Sequence, residues 1–166
     1  MAQLTYPTEQ PIAFPGLLAD LNDSNYVVSR ANGEASLALE YGIAVIEGTL
    51  DEEMLAVTNA AQPLLGVTVH SHANEVGADD LNLIDPDKMG NVLSHGTIFV
   101  QVEDAVVKGD APFVRVVAGG GGSLLGAFRS DADTASARAM TLARFVTSAG
   151  AGGFAVLEFS KDSALS

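Results

Sequence analysis

The chain has 166 residues, of which 48% are hydrophobic and 6% aromatic, a size and composition that suit one folded domain with a real core. Cysteine is absent, which excludes disulfides, thiolate metal sites and cysteine nucleophiles. The net charge of −13 falls within residues 1–87, where fourteen carboxylates face the single base Arg30. Such a surface argues against binding to nucleic acid or to anionic membranes.

No apolar run approaches the roughly 20 residues that a membrane-spanning helix needs. The first seven residues lack the basic and apolar regions of a signal peptide. We therefore expect a protein that is synthesised in a cytoplasm.

Residues 1–38 differ in character from the rest of the chain. Pro7, Pro11 and Pro15 interrupt any helix, and Phe14 to Asp20 is an apolar patch without helix or strand periodicity. We interpret this region as an extended N-terminal arm that includes a short strand at 26–29. An extended arm buries little of its own surface, so we expect it to dock on its own domain, on a sister subunit or on a partner. The alternative is an ordinary irregular N-terminus packed on its own barrel.

Residues 39–166 carry the patterns of a β domain. Ile98, Val100 and Val102 alternate with more polar residues, which predicts a strand with one buried face. Turn residues then separate it from a returning strand. The further strands are predicted at 43–48, 64–72, 81–84, 113–117, 124–129, 142–147 and 154–159, the last two forming a hairpin.

One short helix is considered at Ala135–Ala139, and Asp51–Glu53 is interpreted as a solvated loop. The connection at 74–91, which contains the short strand considered at 81–84, is otherwise interpreted as a polar loop that is free to form a contact surface. Eight to ten short strands at this spacing predict an all-β fold, either a small β-barrel or a β-sandwich.

Two patterns invite a chemical interpretation. On a strand His70 and His72 share one face, and Glu75 follows, which resembles the first half of a cupin metal motif and defines the alternative function, a cupin-like metal-binding enzyme. The spacing is shorter than the cupin pattern, however, and no second motif follows. Structural or surface histidines are therefore the preferred interpretation, and no metal site is predicted.

Asp131 and Asp133 could form an acid and base pair, but an Asx turn explains them more simply. The glycine run at 118–123 lacks the lysine of a phosphate-binding loop. We predict no catalytic residues, no cofactor and no enzymatic activity.

Four stretches resemble the structural cement, or capsid decoration, proteins of tailed bacteriophages, in the same order along the chain. They are Phe14 to Asp20, Leu65 to Ala73, Val100 to Arg115, and Gly126 to Arg129 together with Ala155 to Glu158. The resemblance implies a small β-barrel or β-sandwich, of the jelly-roll or β-tulip kind, without catalytic residues. It also implies a virion protein on the outer surface of the capsid, synthesised in the bacterial host cytoplasm.

The implied function is to bind the assembled head and clamp neighbouring major capsid protein subunits. The implied partners are the major capsid protein and further copies of the chain, as a dimer or trimer, with no nucleic acid and no membrane. The predicted capsid-interface residues are Phe14, Pro15, Gly16, Leu17, Leu18 and Asp20.

Overall fold

A computed structural model of the chain describes residues 13–20, 25–58, 63–71, 83–119, 124–160 and 162–165. Within these ranges the regular secondary structure is almost entirely β. The strands are β1 (Tyr26–Asn32), β2 (Ala44–Glu47), β3 (Glu53–Ala56), β4 (Leu64–Val69), β5 (Met89–Gln101), β6 (Phe113–Arg115), β7 (Phe128–Arg129), β8 (Ala137–Ala139), β9 (Ala143–Phe145) and β10 (Phe154–Phe159). Among the described residues no helix has the length and hydrophobicity needed to cross a bilayer.

Five strands close into a barrel. Their order is β1-β3-β2-β4-β5, and β5 pairs back to β1, so every strand of the ring has a neighbour on both sides. The β1–β3 pair is parallel and the other four pairs are antiparallel. Closure satisfies the backbone groups that an open sheet would leave exposed at its edges. The all-β prediction is confirmed, and the architecture is a barrel.

Strand β5 connects the barrel to a second set of strands. Its first half pairs with β1 and β4, and its second half, from Gly96 to Gln101, pairs with β10, which in turn pairs with β9. The predicted burial of Ile98, Val100 and Val102 is confirmed, since each is at most 1% exposed. The predicted hairpin of the last two strands is also confirmed.

The beginning of β5 was predicted wrongly. The strand starts at Met89, so residues 89–91 belong to it rather than to the expected loop. Gly90 lies where a Cβ would come within 2.6 Å of Ile84 Cδ1, so a glycine is buried where a pattern of hydrophobic side chains would be expected. Because glycine has no side chain, it interrupts the alternation of hydrophobic residues by which a strand is recognised in a sequence.

A smaller sheet, in the order β7-β6-β8, lies beside the barrel and touches it through a parallel bridge between Val102 and Phe128. The helix considered at Ala135–Ala139 is wrong, because a 3₁₀ turn at Asp133–Ala135 leads directly into β8. Positive φ angles at Thr134 (54°) and Ala135 (73°) break any helix there. The strand predicted at 124–129 shortens to Phe128–Arg129.

Two hydrophobic clusters fill the molecule. The larger joins the barrel to the smaller sheet and contains Phe128, Phe145 and Leu157, and the second contains Leu39, Met54 and Ile84. The division of the chain into an arm at 1–38 and a domain at 39–166 stays a prediction. In the described part of residues 1–38, β1 belongs to the barrel and residues 16–19 pair with β5.

Candidate functional site

The predicted interface residues lie in one short segment, residues 13–20, which runs along β5 on the side opposite β10. Four backbone hydrogen bonds hold it in place. Gly16 N–H donates to Phe99 O (2.8 Å), Phe99 N–H to Leu17 O (2.8 Å), Ala19 N–H to Thr97 O (3.1 Å) and His70 N–H to Gly16 O (2.8 Å). Segment 13–20 therefore covers backbone groups of β5 that would otherwise form an open sheet edge.

The six predicted interface residues divide between two faces of segment 13–20. Gly16 is buried and Leu18 packs against the larger core cluster, so these two residues serve the chain's own fold. Phe14 is 48% exposed, Leu17 is 39% exposed and Asp20 is exposed, while Pro15 is half-buried. The outward face thus presents two large apolar side chains beside a carboxylate.

Glycine is required where segment 13–20 meets the barrel. Gly16 has φ of +80°, and a Cβ there would lie 2.7 Å from His70 N and 2.8 Å from Thr68 O. Gly42 faces it, and a Cβ on Gly42 would lie 2.6 Å from Gly16 N. All of these neighbours are backbone atoms, which cannot move aside as a flexible side chain can. The two glycines let the segment and the barrel approach closely.

His70 packs between two aromatic rings. Its ring stacks on Phe14 with centroids 5.9 Å apart and planes at 15°, and it meets Tyr41 edge-on at 4.9 Å. His72 and Glu75, the other residues of the cupin-like pattern, lie outside the described residues. Among the residues that are described, no group of three or more potential ligands is placed to hold a metal ion. The described ring contacts of His70 help to position Phe14.

A network of charges that the sequence did not predict fastens the smaller sheet to the end of β5. Arg115 is 4% exposed, and its guanidinium binds Glu103 Oε2 at 2.7 Å and Asp133 Oδ2 at 2.8 Å. Arg129 Nη1 binds the same two carboxylates at 3.1 Å each. The hydrogen bond to Glu103 raises the pKa of Arg115 above its usual range. An arginine inside the apolar run at 113–117 is expected to be buried, and a buried charge needs a partner. From this the sequence could have predicted an ion pair at Arg115.

The predicted Asx turn is confirmed, since the Asp133 N–H donates to Asp131 Oδ1 at 2.9 Å. That hydrogen bond, followed by those from Arg129, lowers the pKa of Asp131. Asp131 and Asp133 therefore stabilise a turn and a charge network.

Several clefts open on the described surface, and two of them border β5 or the residues that follow it. One, of about 230 Å³, lies beside Pro15 and includes Glu40 and Glu103 in its lining. The other, of about 570 Å³, is flanked by Thr97 and by the surface ion pair of Arg144 with Glu158. The candidate site is thus an exposed apolar segment on a closed barrel, with an acidic cleft beside it.

These features define the class of protein: a small β-barrel that carries an exposed apolar surface segment. The sequence matches the family model described as structural cement protein (E217 gp24/Pam3 gp6) over residues 2–160. The chain therefore belongs to the structural cement protein family, and the predicted family is confirmed.

A solved structure described as the capsid of Myoviridae phage XM1 contains a chain with a similar fold. The TM-score is 0.74 at 15% sequence identity, with 96% of this chain and 98% of that chain covered. At this identity the likeness shows a shared fold. A comparison with curated protein sequences gave no match. Family and fold together support a capsid-associated, structural role in the virion of a bacteriophage.

Proposed function

We propose that this protein binds the outer surface of the assembled phage head and clamps neighbouring major capsid protein subunits. It acts without catalysis, as a dimer or trimer, and is synthesised in the bacterial host cytoplasm before it joins the particle. Many copies on a closed shell add their individually modest contacts, so the shell gains stability from avidity.

The observation that carries this proposal is the outward face of segment 13–20. Phe14 and Leu17 are large, apolar and exposed, yet the backbone that carries them is fixed by hydrogen bonds to β5. A rigid apolar projection loses little conformational entropy on binding, which favours affinity. Burial of the exposed parts of these two side chains on the shell would contribute about 1–2 kcal/mol each.

The test compares two double variants for binding to heads that lack this protein. Phe14→Ser/Leu17→Ser removes the apolar projection. Leu50→Ser/Val107→Ser removes two apolar side chains elsewhere on the surface that are even more exposed. We expect the first variant to bind each site on the head with a Kd at least tenfold higher than that of the wild type. Heads mixed with this variant should stay as heat-sensitive as undecorated ones. The second should match the wild type.

Thermal unfolding of the free proteins serves as the folding control. If wild-type protein neither binds such heads nor raises their disruption temperature, the proposed function is wrong. If both double variants bind equally well, segment 13–20 is not the contact surface.

A further inference from the structure

The cleft beside Pro15 has the composition of a site for a long cationic side chain. Its walls are largely apolar, with contributions from Pro15, Tyr41, Ile43, Leu124 and Ala127. It lies between segment 13–20 and the loops around the smaller sheet, and Pro15 makes it continuous with the proposed contact surface.

Two carboxylates, those of Glu40 and Glu103, line this cleft, and only one of them has a positively charged partner. Glu103 is neutralised, because its oxygens accept hydrogen bonds from Arg115 and Arg129. The Glu40 side chain is half-buried, and its carboxylate makes no hydrogen bond or ion pair with any residue that the structure describes. The backbone of Glu40 is nevertheless fixed, since its carbonyl accepts a hydrogen bond of 2.8 Å from the Thr68 hydroxyl.

An uncompensated carboxylate in a partly apolar cleft costs stability. Burial raises the pKa of Glu40, which reports that the charged form is disfavoured in the free protein. Among the described residues the Glu40 oxygens are not fully buried, so the carboxylate stays accessible from the cleft to a group of another molecule. A cation supplied from another molecule would compensate it.

We propose that this cleft receives one lysine or arginine side chain of the major capsid protein, with the cation against Glu40 and the aliphatic stem along the apolar wall. Lysine and arginine pack their stems on apolar surface while the charged head meets a carboxylate. The negative charge of residues 1–87 favours a basic partner surface. This inference rests on the proposed function.

The experiment measures binding of three variants to heads that lack this protein. Glu40→Gln removes the charge and keeps the shape, Leu124→Lys places a lysine of the chain's own in the same cleft, and Glu52→Gln makes the matched change at an exposed glutamate. We expect Glu40→Gln and Leu124→Lys to bind about tenfold more weakly, and Glu52→Gln to stay within twofold of the wild type.

Two further readouts separate a binding role from a structural one. Glu40→Gln should unfold at the same temperature as the wild type or at a higher one, because it removes an uncompensated charge. Its binding should also depend less steeply on salt concentration.

The outcomes distinguish this inference from the proposed function. If wild-type protein does not bind heads, the proposed function fails. If the wild type binds and Glu40→Gln and Leu124→Lys bind as tightly as Glu52→Gln, the cleft receives no cation and only this inference is overturned. A Glu40→Gln protein that unfolds at a lower temperature would show that Glu40 serves the fold.

Discussion

The substitution Gly16→Ala tests whether segment 13–20 is packed on the barrel as a part of the fold. The new Cβ would lie within 3 Å of backbone atoms of Thr68, His70 and Gly42, so either the segment moves away from the end of β4 or the barrel deforms. The segment is held by four backbone hydrogen bonds, each worth about 1 kcal/mol net. Partial loss of these bonds, together with the positive φ of Gly16, should lower the free energy of unfolding by about 3 kcal/mol.

Gly152→Ala is the matched control. Gly152 has φ of +74°, close to the +80° of Gly16, but a Cβ there would meet nothing within 4 Å. It should cost only the strain of the positive φ, about 1 kcal/mol. For a chain of this size the Gly16→Ala loss corresponds to a fall in Tm of about 6–12 °C, measured by calorimetry and by urea unfolding. Equal losses in the two variants would refute the close packing of segment 13–20.

The remaining predictions concern the charges around the smaller sheet. Arg115→Met leaves Glu103 without its main partner and should lower the free energy of unfolding, measured in urea titrations, by about 3 kcal/mol. The control Arg144→Met removes an exposed ion pair and should lower it by less than about 1 kcal/mol. A loss for Arg115→Met no larger than that for Arg144→Met would contradict the network. The pKa of Asp131 is held below its ordinary value of 3.8, so its contribution to stability is present above that pH and is lost as the pH falls through the lower folded-state pKa. Asp131→Asn should therefore show a smaller fall in Tm than the wild type on acidification below about pH 4, and parallel curves would refute this.

The all-β class can be predicted from the sequence because buried and exposed positions alternate along a strand. Where hydrophobic side chains fill the buried positions, the same alternation is visible in the sequence. Ile98, Val100 and Val102 follow this rule, and their strand was predicted. The beginning of β5 does not follow it, since Gly90 takes a position where close approach replaces side-chain packing. A pattern based on side chains cannot detect such positions.

Segment 13–20 was recognised as apolar and distinct, but its location could not be predicted. It pairs with residues about eighty positions later in the chain, and a single sequence carries no record of such pairings. The charge network was missed for a similar reason. Arg115 and Glu103 are visible in the sequence, but only the fold brings Asp133 to the same guanidinium.

An electron-microscopy map of heads decorated with this protein would test the clamping role most directly. We expect the map to show the β-barrel on the outer surface, placed across a boundary between major capsid protein subunits, with Phe14 and Leu17 buried against the shell. A map in which the barrel contacts a single subunit, or in which segment 13–20 faces solvent, would contradict it.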